Sequence, residues 1–177
     1  MTPSGAIPAR YTRVMRIAVG SDHAGFDLKA TLAKHLADGG HQVIDLGTDS
    51  PDVSVDYPTY GAAVGRAVVE GRADQGVCVC GTGIGISMAA NKVPGVRAAL
   101  VHDVTTASLA RRHNDANVVC LGGRTLGTAE ALDAVDTFVA TTFEGGRHQP
   151  RLAELAAMDA ARPTRGPEQP DRAGAPS

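Results

Sequence analysis

The chain has 177 residues, 43% hydrophobic and 20% charged, with a formal net charge of −2. That is enough for one domain with a real core, and it gives no electrostatic case for a nucleic-acid partner or an anionic membrane surface. Aromatic residues make up 3% with no Trp, which argues against base-stacking platforms and leaves Ala, Val, Leu and Ile to build the core.

Three cysteines, an odd number without framework spacing, predict reduced thiols and a cytoplasmic setting. No apolar run reaches membrane-spanning length, and the N-terminus lacks a signal-peptide core. Residues 1–13 have no hydrophobic period and read as a flexible extension. Residues 161–177, rich in Pro, Gly and charge, read as a disordered tail. A single domain is expected over 14–160.

Within that domain strands and helices alternate. Arg16–Gly20 predicts the first strand, and Ser21-Asp22-His23-Ala24-Gly25 a polar turn at its carboxyl end. A helix follows over Phe26–Ala37, with Phe26, Ala30, Ala33 and Ala37 at helical spacing and Leu28, Leu32 and Leu36 adjoining. Gly39-Gly40 ends it. Gln42–Leu46 is a second strand. Asp56-Tyr57-Pro58 opens a helix to Val69, with proline in its first turn. Val77–Cys80 is a short apolar strand, then glycines at 81, 83 and 85 lead into another helix. Val96–His102 is a fourth strand, and Asp103 caps a helix to about Arg112. Asn117–Leu121 is a fifth strand, Thr128–Thr142 is helical, and Pro150 starts a last helix to about Ala160. Strict alternation with apolar strands predicts a three-layer α/β/α Rossmann-like sandwich around a five-stranded, mainly parallel sheet.

The stretch from Gly76 to Lys92 carries the most chemistry. Glycines at every second position let amide groups approach a ligand closely, and the helix N-terminus beyond them favours negative charge. Cys80 ends the strand, at the edge where open α/β sheets bind ligands. A thiol there can serve as a base, a nucleophile or merely a small buried residue. The glycines are not a dinucleotide fingerprint, because Ile86 stands where the third glycine is needed, and no P-loop lysine follows. Cys78 and Cys80 lack metal-ligand spacing, and their side chains are expected on opposite faces of the strand.

The other carboxyl-end turns carry Asp22-His23, Gly47-Thr48, His102-Asp103 and Gly122-Gly123-Arg124, a polar ring around the thiol. His113-Asn114 precedes the fifth strand and therefore lies at the opposite end, which implies service to a neighbouring subunit's site. Arg147 and Arg151, four apart, share a face if one helix holds both, and paired arginines suit a phosphate. His35 and His41 have no sequence partners and are expected on the surface.

Gly20–Phe26, Asp56-Tyr57-Pro58, Cys80–Gly85, Ala89–Lys92, Arg112–Asn117 and Gly145–His148 together resemble the type B ribose-5-phosphate isomerase family, which includes allose- and galactose-6-phosphate isomerases. The resemblance covers about residues 15–158. It implies a cytoplasmic aldose–ketose isomerase of the pentose phosphate pathway, without metal or cofactor. It also implies a homodimer or tetramer with shared active sites, no nucleic acid and no membrane. It further implies a 1,2-enediol intermediate with Cys80 as base. Thr82 and the amides from Gly81 through Gly83 and Ile84 to Gly85 would stabilise the enediolate. His113 would open the sugar ring, and Asn114 would bind beside it. Asp22, His23, Arg124, Arg147 and Arg151 would bind substrate, the arginines chiefly its phosphate. Some family members carry Glu at the position of Ile86 and lack the cysteine, so here the role falls to Cys80. A hexose-6-phosphate isomerase or a non-catalytic sugar-phosphate binder would share the scaffold.

Overall fold

A computed structural model describes residues 13–161. Nearly all of the expected extension and tail therefore lies outside the described residues.

The apolar runs form β1 (Arg16–Ser21), β2 (Gln42–Asp45), β3 (Gln75–Cys80), β4 (Ala98–Leu100) and β5 (Val118–Gly122). Between and after them come α1 (Phe26–Asp38), α2 (Tyr57–Val69), α3 (Ile84–Ala90), α4 (Val104–Asn114), α5 (Thr128–Ala140) and α6 (Gln149–Ala160). The strands lie in the order β2-β1-β3-β5-β4, and every pair is parallel. The sheet is thus wholly parallel rather than mainly so. All six residues of β3 are buried, as a central strand covered on both faces requires.

Strand alternation splits the core in two. Ile17, Val19, Val77, Val79, Val119 and Leu121 face one way, beneath α1, α4 and α5. Ala18, Cys78, Cys80, Val118 and Cys120 face the other, beneath α2 and α3. Cys78 and Cys80 therefore share a face, contrary to expectation. Residues two apart on a strand point the same way, and it is neighbours that alternate.

Three further expectations are corrected. The buried stripe of α1 is Leu28, Leu32 and Leu36, joined by Lys29, while Ala30 and Ala37 face solvent. β4 keeps only three residues, although the Arg97 carbonyl and the Val101 amide beside it still bond to backbone groups of the β5 segment. Arg97 donates its amide to Asn117 Oδ1 at 2.8 Å, and Asn91 bridges both backbone groups of Ala98 at 2.9 Å. That amide clip also covers part of an open sheet edge. The histidines expected on the surface are not free there. His41 is buried, and its ring accepts the Met15 amide at 3.2 Å. His35 meets Asp136 at 2.7 Å across α1 and α5.

The order of strands reverses between β1 and β3, since the chain winds outward from them in opposite directions. The crevice at the carboxyl ends of those two strands is where doubly wound sheets take ligands. Asp22 and Cys80 stand at those ends.

Candidate active site

Cys80 is the last residue of β3 and is 4% exposed. The chain then turns back over it, and the Gly83 amide donates to its sulfur at 3.1 Å. Gly83 makes this turn at φ 77°, a left-handed conformation that glycine adopts without strain. Thr82 Oγ1 accepts the Ile84 amide at 3.3 Å, and α3 starts at once. The first-turn amides of a helix lack intrahelical acceptors, so Gly85 adds a donor at this mouth. Tyr57 packs against Gly85, where a β-carbon would come within 2.6 Å of the ring.

The turn after β1 closes one side. Asp22 is buried and accepts the Gly25 amide at 3.0 Å, capping a short helical turn. His23 Nδ1 lies 3.2 Å from both backbone groups of Val55, in the connection from β2 to α2. The turn after β5 closes the other side. Arg124 donates its amide to the Gly81 carbonyl at 2.9 Å, and its guanidinium lies over Gly81. Asp22, His23, Cys80, Gly81, Thr82, Gly83, Ile84, Gly85 and Arg124 thus belong to one edge.

The remaining candidates meet at the other edge. His113 and Asn114 end α4, just before β5, and lie one strand away from the carboxyl edge, about 16 Å for an element of this length. His113 stacks on His148 with ring centroids 4.3 Å apart. Arg147 precedes α6, in a short 3-10 turn, so it shares no helix face with Arg151. The two still converge, because Arg151 Nη1 donates to the Arg147 carbonyl at 2.9 Å. The expected start of the last helix at Pro150 moves one residue, to Gln149.

His148 and Glu144 were not anticipated from the sequence. Both His113 and His148 present Nε2 at 3.8 Å from Glu144 Oε2. The hydrogen bond from Arg112 to Glu144, together with that guanidinium's charge, holds the carboxyl below its ordinary value. Burial and the nearby His113 and Arg147 push His148 below the usual imidazole value. The four-residue spacing from Glu144 to His148 was a usable signal, but the double glycine between them masked it. Among the described residues, His113, Glu144 and His148 are the one trio whose ligand atoms lie close enough to hold a cation. Arg112, Arg147 and Arg151 surround them, and that positive field favours an anion.

A cleft of about 400 Å³ lies away from Cys80, lined by Arg97, Ala98, Asn114, Leu152, Leu155 and Met158. No residue of α6 is buried, and Leu155 and Met158 are 44% and 65% exposed. At the other edge Ile84 and Met88 on α3, four residues apart, are 47% and 61% exposed. No helix among the described residues is long and apolar enough to cross a membrane.

Comparison with known proteins agrees with this architecture. The family model described as Ribose/Galactose Isomerase matches residues 17–155. The chain is 44% identical over 147 residues to ribose-5-phosphate isomerase B of Escherichia coli, covering 83% of this chain and 98% of that one. It resembles the solved ribose-5-phosphate isomerase B of Clostridium thermocellum with a TM-score of 0.81 and 47% identity, over 82% of this chain and 98% of that one. A Mycoplasma genitalium ribose-5-phosphate isomerase B solved with bound ribulose-5-phosphate matches with a TM-score of 0.80 and 42% identity, over 83% and 97% of the two chains. With the motif-bearing domain matched almost end to end, the chain belongs to the ribose/galactose isomerase family.

Proposed function

We infer that the chain is a ribose-5-phosphate isomerase, interconverting D-ribose 5-phosphate and D-ribulose 5-phosphate in the pentose phosphate pathway. Relatives at 44% and 47% identity carry that name, and one solved relative holds ribulose-5-phosphate. The observation that carries the chemistry is a lone thiol at the end of β3 inside a turn of backbone donors. A pure sugar-phosphate binder has no use for a base there, and no observation favours a hexose phosphate.

The reaction moves a proton between adjacent carbons. Cys80 as thiolate takes the C2 proton, the released electron pair forms the C1–C2 double bond, and negative charge gathers on O1. That charge must be stabilised as it forms, and one preorganised donor is worth about 3–4 kcal/mol. The amides of Gly81–Gly85 and the Thr82 hydroxyl fill this role. Cys80 then returns the proton to C1, while the proton of the C2 hydroxyl passes to O1, and the ketose results. Asp22 and His23 hold sugar hydroxyls, and Arg124 closes over the turn.

A furanose must first open. His113 gives a proton to the ring oxygen, with Asn114 beside it, and Arg147 and Arg151 hold the phosphate. These groups lie at the far edge of their own chain, so the working site pairs the Cys80 edge of one subunit with the His113 edge of another. The exposed apolar residues beside each half, Ile84 and Met88 on one and Leu155 and Met158 on the other, support a homodimer joined in this way. The three cysteines are free and buried, which suits the reducing cytoplasm.

The deciding experiment is isomerisation of ribose 5-phosphate with chelator present, wild type beside Cys80→Ala. We expect activity in wild type and its loss in a variant whose circular dichroism is unchanged. A fully active variant would disprove the assignment of the base.

A further inference from the structure

Lys29 on α1 is 2% exposed, one of the largest side chains so completely enclosed. An ammonium leaves water at high cost unless its N–H groups all find acceptors. Here they do. Nζ donates to Asp45 Oδ1, Asp45 Oδ2 and the Thr48 carbonyl, each at 2.8 Å. The Phe26 ring lies 5.2 Å from the same nitrogen.

What the lysine holds is a piece of loop. Asp45 ends β2 and is 46% exposed, and its Oδ1 also accepts the Gly47 amide at 2.9 Å. Gly47 and Thr48 are in turn laced to β1. The Ser21 amide donates to the Gly47 carbonyl at 2.7 Å, and the Thr48 amide donates to the Ser21 carbonyl at 2.8 Å. Ser21 is followed directly by Asp22 and His23. Farther along the same connection, Val55 meets His23 Nδ1 at 3.2 Å. Between these two fastenings, Pro51 to Ser54 are exposed and contribute nothing to the core. A methionine would fill the lysine's space in the core. Only the charge can fasten the loop.

We propose that Lys29 is a positioning residue for substrate: by fastening Asp45 and Thr48 it fixes the 45–55 connection, and through Ser21 and Val55 it sets Asp22 and His23 in their binding positions. This rests on the reading of Asp22 and His23 as substrate ligands. Cys80 and its turn belong to β3 and make none of these contacts. Loss of the clamp therefore weakens substrate binding and spares the proton transfer.

The test is steady-state kinetics on ribose 5-phosphate with the full chain, comparing Lys29→Met, Asp45→Ala and Asp22→Asn with wild type. Removal of binding that is uniform between ground and transition state raises KM alone, so KM should rise about tenfold in Lys29→Met and Asp45→Ala while kcat stays within about threefold. A fall in melting temperature with both constants unchanged would reduce Lys29 to a structural residue and overturn the proposal. A fall in kcat at constant KM would overturn it equally. If either single variant does not fold, the double variant Lys29→Met/Asp45→Ala, which leaves no charge without its partner, decides by the same KM criterion. An unchanged KM in Asp22→Asn would instead refute the substrate reading, and the clamp's purpose with it, whatever the lysine variant does.

Discussion

The contact between the thiol of Cys80 and the amide of Gly83, at 3.1 Å, depends on one backbone angle. At φ 77°, a β-carbon on Gly83 would lie 2.6 Å from Leu100 Cδ1 and 2.8 Å from the Leu121 carbonyl carbon. Gly83→Ala must therefore shift the turn that covers the sulfur. Backbone strain of this type costs roughly 1–3 kcal/mol. Losing one aligned donor costs on the order of a hundredfold in kcat. We expect both losses, read by urea denaturation and by turnover. Retained turnover would show that this amide does not matter. Cys80 and the glycines were legible in the sequence because a strand, a turn and a helix start are local patterns. The stacking of His113 on His148 was not, because β5 and α5 lie between them in the chain and only tertiary packing brings the rings together.

At the scale of elements, alternation of apolar runs with amphipathic ones gave all five strands and six helices nearly in place. The burial of Lys29 was not legible, because it is decided by hydrogen-bond partners distant in sequence, Asp45 and Thr48. The start of β1 is held by another such partner. Asp74 accepts the Arg16 amide at 2.8 Å and its Nη2 at 2.7 Å, tying β1 to the approach to β3. These hydrogen bonds from Arg16 are the main reason the Asp74 carboxyl sits below its ordinary value. A carboxylate so depressed contributes its stability in full above the unfolded-state value and loses it as pH falls through the folded one. Stability should therefore decline on acidification below about pH 4. Asp74→Asn should show a shallower decline across that range in urea midpoints, and an identical slope would argue against this pair.

For the whole molecule, the sequence alone implied that His113 and Cys80 sit at opposite ends of a parallel sheet, since one precedes its strand and the other ends it. The proposal that the two edges join between subunits has a direct assay. Cys80→Ala and His113→Ala chains should each be inactive as homodimers. Mixed after dissociation, half the dimers are hybrids, and each hybrid keeps one of two sites intact, so about one quarter of wild-type activity should return. A site complete within one chain would return none. The last helix was legible from its proline start, but the exposure of Leu155 and Met158 among the described residues was not, because it depends on tertiary packing.

β3 has a consequence for chemical labelling. Its cysteine partners Cys78 and Cys120 are 0% exposed, and burial pushes the Cys120 thiol well above its ordinary value. Cys80 is 4% exposed, at the carboxyl edge proposed to receive substrate. A small alkylating reagent should therefore add once to the native protein, at a rate slowed by ribose 5-phosphate, and three times after denaturation. The second and third additions await an opening of the central strand itself. Counting them by mass over time turns the sheet's own sulfur atoms into a clock for how often the protein comes apart.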